Sequence, residues 1–177
     1  MEPSESDPTP LRTIRARFEQ IVDAAQNDPN TNWHSSWTGN MMVNTFKGRN
    51  RGLCYQWQDY VYRGVAPTAE RLGWGCTGLV ANEGNVFEHH VVLVWDPLKI
   101  SEGEILTRKT PPQRPVYVLD AWYEGKPNVH WLDDWLKHEA PHRVPARLQE
   151  LPAEYQDPSE PVQFDLPEPN AGAVPRR

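Results

Sequence analysis

Apolar residues recur three and four apart between Leu11 and Ala25 (Leu11, Ile14, Phe18, Ile21, Val22, Ala25), which predicts an amphipathic helix. The turn-rich Asn27-Asp28-Pro29-Asn30 ends it near Gln26. An irregular polar and aromatic stretch, 32–40, and the glycine-bearing segment 47–52 lead to a second helical pattern. That helix opens at Cys54 and runs to about Val65, with Leu53, Trp57, Tyr60, Val61 and Gly64 on its buried side. Pro67 is then expected to start a short further helix closed by Gly73. Beyond it the period changes, with β-rich runs at about 74–81, 86–95 and 115–122. Val129, Leu132, Trp135 and Leu136 share one face if 128–139 is a helix. Helices followed by an antiparallel sheet define the α+β class.

The chain's 177 residues suit one domain with a sizeable core. Residues 1–10, acidic and carrying Pro3, Pro8 and Pro10, read as a disordered lead. The domain then spans 11–145, and the proline-rich 146–177 reads as an extended tail. A tail of this kind is also a candidate strap across a cleft. Eighteen basic against 24 acidic residues leave a net charge of −6 and no basic footprint for nucleic acid. The polar start has no signal-peptide pattern, and no apolar run is long enough to span a membrane. A cytoplasmic protein, or one exported without a cleaved signal, is the expectation. Two cysteines do not make a disulfide framework.

The chemistry concentrates in three segments. Cys54 stands where a helix N-terminus would stabilise a thiolate, and Gly52 would let a substrate approach the Cys54 backbone N–H. His89 and His90 lead the most apolar strand, and because they alternate in direction only one of them can serve the thiol. Asp120 ends the apolar run 116–119, where a carboxylate is costly unless paired, and an imidazole N–H would pair it. Trp122 could then shield that hydrogen bond from water. Each residue also has a plain role: Cys54 as a small buried apolar group, Asp120 as a turn cap, the tryptophans as core. Eight tryptophans against four phenylalanines make cleft walls of Trp37, Trp57, Trp95 and Trp122 a natural suggestion. Cys76, in strand-like sequence, reads as structural, and His130, His138 and His142 as part of a solvated face. No metal-ligand spacing, phosphate loop or dinucleotide fingerprint is present, so no metal or cofactor is expected.

Taken in order, Gly52-Leu53-Cys54-Tyr55 before a helix, a histidine-led strand, and Leu119-Asp120-Ala121-Trp122 resemble the papain-like and transglutaminase-like cysteine peptidase superfamily. They are similar also to small bacterial proteins in which Cys-Tyr-x-Trp, His-x-x-Val-Val and Leu-Asp-Pro-Trp recur. The resemblance covers roughly residues 33–137. It implies a nucleophile-bearing helix packed on an antiparallel sheet, a Cys54–His89–Asp120 triad with His90 as the alternative histidine, and acyl transfer at a peptide, protein or other amide. A bacterial effector is among the roles the superfamily suggests. Arg51 and Leu53 depart from the papain signature, and the usual oxyanion glutamine upstream of the cysteine is missing. Trp33, Trp37, Asn44 or Asn50 would have to supply the side-chain donor. Two rival readings stay open: an inactive binding or scaffolding module of the same fold, and a zinc protein.

Overall fold

The computed structural model describes residues 7–36, 50–84, 87–107, 116–139, 146–149, 151 and 166–169. Helix α1 is Thr9–Gln26, and all six apolar positions of its stripe are buried. Helix α2 is Cys54–Arg71 and runs unbroken through Pro67, so the expected second helix is its last turns. Pro67 is exposed, so the hydrogen bond forfeited by its missing N–H lies on the solvent side. The two helices pack closely at Gly64, where a Cβ would collide with the Ile21 side chain. Arg17 Nε donates to the Gly64 carbonyl at 3.1 Å across the same contact.

Two short strands, β1 (Asn32–Trp33) and β2 (Asn50–Arg51), pair in parallel just before α2. The main sheet has β3 (Gly75–Ala81), β4 (His89–Trp95), β5 (Val116–Asp120), β6 (Asn128–Trp131) and β7 (Arg147–Gln149). Its spatial order is β6-β5-β4-β3-β7, antiparallel throughout. Helix α3, Leu132–Glu139, follows β6 directly. The helix expected over 128–139 therefore begins four residues late. Val129 pairs with Leu119 and is fully buried against α1 and α2, so ladder bonds and that face of the core claim 128–131.

All seven residues of β4 are buried, because both sheet faces are covered. Val92, Val94, Tyr117 and Leu119 face α1 and α2; Val91, Leu93, Val116 and Val118 face Leu132 and Trp135 of α3. Part of the expected tail belongs to the fold. Residues 147–149 form edge strand β7, Leu151 is buried, and Glu168 meets Arg71 at the far end of α2. That end lies about 26 Å along the helix axis from Cys54, so the stretch 166–169 does not strap the thiol. Among the described residues no helix is long and apolar enough to cross a membrane.

Candidate active site

The start of α2 is fixed by its approach. Gly52 has φ of 136°, and a Cβ there would strike the His34 backbone. Gln56 Oε1 accepts the N–H groups of Gly52 at 2.9 Å and Leu53 at 3.1 Å, tying the turn to the first helical residues. Trp57 Nε1 donates to the His34 carbonyl at 2.8 Å, and the His34 ring meets Asn50 Oδ1 at 3.1 Å. Three sequence candidates, Asn50, Gly52 and Trp57, are thus gathered around His34, and they shape the loop that presents Cys54. Trp37 and Asn44 lie outside the described residues. Trp33 packs on Trp57 and Tyr60 as a wall.

Cys54 is the first residue of α2, and its side chain lies against the entrance of β4. Its thiol stands 3.7 Å from the Glu88 carbonyl. Burial pushes the thiol up to about 11, against the lowering effect of the His90 and Tyr55 backbone N–H groups, with Glu88 and Asp120 adding to the rise. The helix N-terminus therefore does not yield a resting thiolate.

The two histidines separate cleanly. His89 Nε2 and Asp120 Oδ2 are 2.8 Å apart, and both side chains are 2 % exposed. Asp120 also accepts the Trp122 backbone N–H at 3.0 Å and Trp135 Nε1 at 3.2 Å. Burial alone would raise its pKa, but the His89 charge and hydrogen bond with the two further donors hold it below the ordinary value. The His89 ring is boxed by Trp122 at 4.8 Å, Trp135 at 5.5 Å and Tyr123 at 6.2 Å. His90 points to the α2 face, where Nε2 meets Glu88 Oε1 at 2.7 Å and Nδ1 meets Gln149 Oε1 at 3.2 Å.

Because a carboxylate only accepts, His89 Nε2 is the donor of this pair, and Nδ1 is the ring nitrogen turned away from Asp120. That Nδ1 is buried and, among the described residues, has no hydrogen-bond partner, Cys54 included. Trp122 Nε1 is likewise buried without a partner among the described residues.

Sequence reading missed Trp135 as a donor to Asp120, Gln56 as the tie at the helix start, and Glu88 with Gln149 as the partners of His90. Trp135 was visible only as a core position of a predicted helix. Beyond Asp120 a cavity of about 330 Å³ opens beside Tyr123, Glu124, Asn128, His130 and Trp135. Among the described residues no group of three or more His, Cys, Asp or Glu is disposed to hold a metal ion.

No family model, no curated protein and no solved structure matches this chain.

Proposed function

We propose that the chain performs thiol-dependent acyl transfer at amide bonds, with Cys54 as nucleophile, His89 as base and Asp120 as its orienting acid, in a papain-like or transglutaminase-like arrangement. The observation that carries this is the buried His89–Asp120 pair at the start of β4, the strand whose entrance the Cys54 thiol meets from α2. Since the thiol is protonated at rest, its activation is on demand. Cys54 Sγ forms a bond to the amide carbonyl carbon as its proton passes to His89 Nδ1, and the carbonyl π pair moves onto oxygen. The backbone N–H of Cys54 and Trp122 Nε1 are the donors assigned to that oxyanion, Trp122 in place of the missing glutamine. Collapse breaks the C–N bond, and the leaving amine takes the proton from Nδ1. Water or a second amine then attacks the thioester and restores the thiol. Asp120 holds the Nε2–H tautomer and stabilises the imidazolium.

A second reading, an inactive binding module of the same fold, has its own support: the thiol's raised pKa and the missing Cys54–His89 hydrogen bond. Iodoacetamide labelling with peptide mapping separates the two. The enzyme reading expects Cys54 to react faster than the half-buried Cys76 at pH 7.5, and to slow at least tenfold in His89→Ala. Equal rates in wild type and variant would favour the binding module.

A further inference from the structure

The acyl-transfer reading gives His90 no part, although it is 2 % exposed and both its ring nitrogens are engaged. The ladder between β4 and β3 reaches back to His89, opposite Ala81, but the ladder between β4 and β5 begins only at Val92. Gln58, one turn along α2 from Cys54, donates through Nε2 to the Val91 carbonyl at 2.7 Å and the Leu79 carbonyl at 3.1 Å. Helix and strand are therefore pinned together as far as Val91. The entrance 88–90 lies beyond that pin and beyond the β5 ladder, and the site meets there. The Glu88 carbonyl stands 3.7 Å from the thiol, the His90 backbone N–H also meets the sulfur, and His89 lies between the two.

Side chains fasten this entrance. His90 Nε2 donates to Glu88 Oε1 at 2.7 Å, and Glu88 Oε2 accepts the Gly84 N–H at 2.6 Å. His90 Nδ1 stands 3.2 Å from Gln149 Oε1, on the strand beyond β3. Gln149 is 1 % exposed, its carbonyl accepts Thr77 Oγ1 at 2.9 Å, and its strand is tied again by the Arg147–Glu83 ion pair at 2.6 Å. Gly78, opposite Gln149, leaves room for that side chain and for Gln58: a Cβ would come 3.1 Å from Gln149 Cβ and 2.9 Å from Gln58 Nε2. Because an amide turns to offer either its oxygen or its NH₂, Gln149 meets Nδ1 in either protonation state of the ring.

We infer that His90 is a positioning residue of the Cys54–His89 site: its ring ties the β4 entrance to β7 and so fixes the 88–90 backbone that seats the thiol and carries His89. This rests on the acyl-transfer reading, since it names what that chemistry needs held in place. A loosened entrance would swing His89 away from the thiol, and a misplacement on the order of 1 Å costs about 10²-fold in rate. It would also uncover the sulfur, whose burial is the largest cause of its raised pKa.

The test uses the full chain with Gln149→Leu, which nearly keeps the volume and removes the partner of Nδ1, and reads Cys54 with and without His89. Acetylation by p-nitrophenyl acetate should slow about tenfold in Gln149→Leu alone. With His89→Ala already present it should slow by less than about twofold, because a base that is absent cannot be misplaced. A merely structural loss would slow both backgrounds by the same factor. In the His89→Ala background, iodoacetamide labelling of Cys54 at pH 7.5 should rise about threefold, while Cys76, opposite Val94 at the other end of β4, keeps its rate. Glu88→Ala, at a side chain 33 % exposed, should repeat both effects. Glu88→Gln removes the same charge but keeps an acceptor for Nε2, and should stay within about threefold of wild type. No acetylation in the wild type would sink acyl transfer and leave the labelling to decide the clamp. The inference is overturned if, in both Gln149→Leu and Glu88→Ala, Cys54 labelling is unchanged or rises only together with Cys76. It is overturned equally if acetylation slows by the same factor with and without His89.

Discussion

Replacing Asp120 by Asn probes the best-defined polar cluster in the molecule. Three donors converge on the carboxylate: His89 Nε2, Trp122 N and Trp135 Nε1. A carboxamide has one oxygen, so it cannot serve all three. With that oxygen at the Oδ2 position it keeps His89 and Trp135 but turns its NH₂ against the Trp122 N–H. In the opposite orientation it keeps only Trp122, opposes the Trp135 N–H, and forces the His89 proton onto Nδ1. Either way at least one buried donor is orphaned, at about 1–3 kcal/mol, and the buried acid–imidazole pair is weakened. A total near 3 kcal/mol follows, within the range of about 3–5 kcal/mol for breaking a buried pair. With an m-value of about 2 kcal/mol/M in urea, the midpoint should fall by roughly 1.5 M, read by tryptophan fluorescence. Imidazole ¹⁵N shifts would report the tautomer, which should stay Nε2–H because the first orientation satisfies more donors. The acid side gives a sign check. The folded carboxyl has a pKa below its ordinary 3.8, so as pH falls the unfolded chain takes up the proton first. The stabilisation is therefore full above about pH 5 and shrinks progressively below about pH 4. A midpoint shift under 0.3 M at pH 7, or one that does not shrink below pH 4, would refute the reasoning.

Gly52→Ala places a Cβ on a residue with φ of 136° against the His34 backbone, and a loss of about 2–3 kcal/mol is expected in thermal melts. Trp135→Phe keeps the aromatic wall but removes one donor to Asp120; a loss of about 1–2 kcal/mol should appear in urea melts. With a thiol pKa near 11, Cys54 alkylation by iodoacetamide should rise about tenfold per pH unit from pH 6 to 9. A plateau near pH 7 would mean a resting thiolate.

Much of this architecture was legible because burial leaves a period in the sequence. The stripe of α1 and the unbroken Val91–Trp95 run of β4 marked a one-sided helix and a strand covered on both faces. Asp120 stood out because a carboxylate ending an apolar strand demands a donor, and the structure supplies three. The choice between His89 and His90 was left open because adjacency on a strand says they point apart without saying which face holds the acid. Register shows that His89 is the one that pairs with the acid, since Asp120 and His89 sit on the face that α3 covers, while His90 faces α2. Trp135 could not be recognised as a donor, because its spacing from Asp120 is bridged by a strand and a turn that local pattern cannot orient. Gln149 was hidden in sequence whose prolines read as tail, although its backbone pairs with β3. The thiol's environment was only half legible for a related reason. The helix N-terminus was visible in sequence, whereas the burial that outweighs it depends on where Glu88 and His90 fall.

Acylation of Cys54 by p-nitrophenyl acetate tests the proposed chemistry most directly, because it asks whether the thiol attacks a carbonyl with help from His89. At pH 7.5, mass-mapped acetyl-thioester on Cys54 and a matching burst of nitrophenolate are predicted. His89→Ala should slow the burst about 10²-fold or more, the usual contribution of a positioned general base. An unacylated Cys54, or a burst of the same rate without His89, would contradict the account.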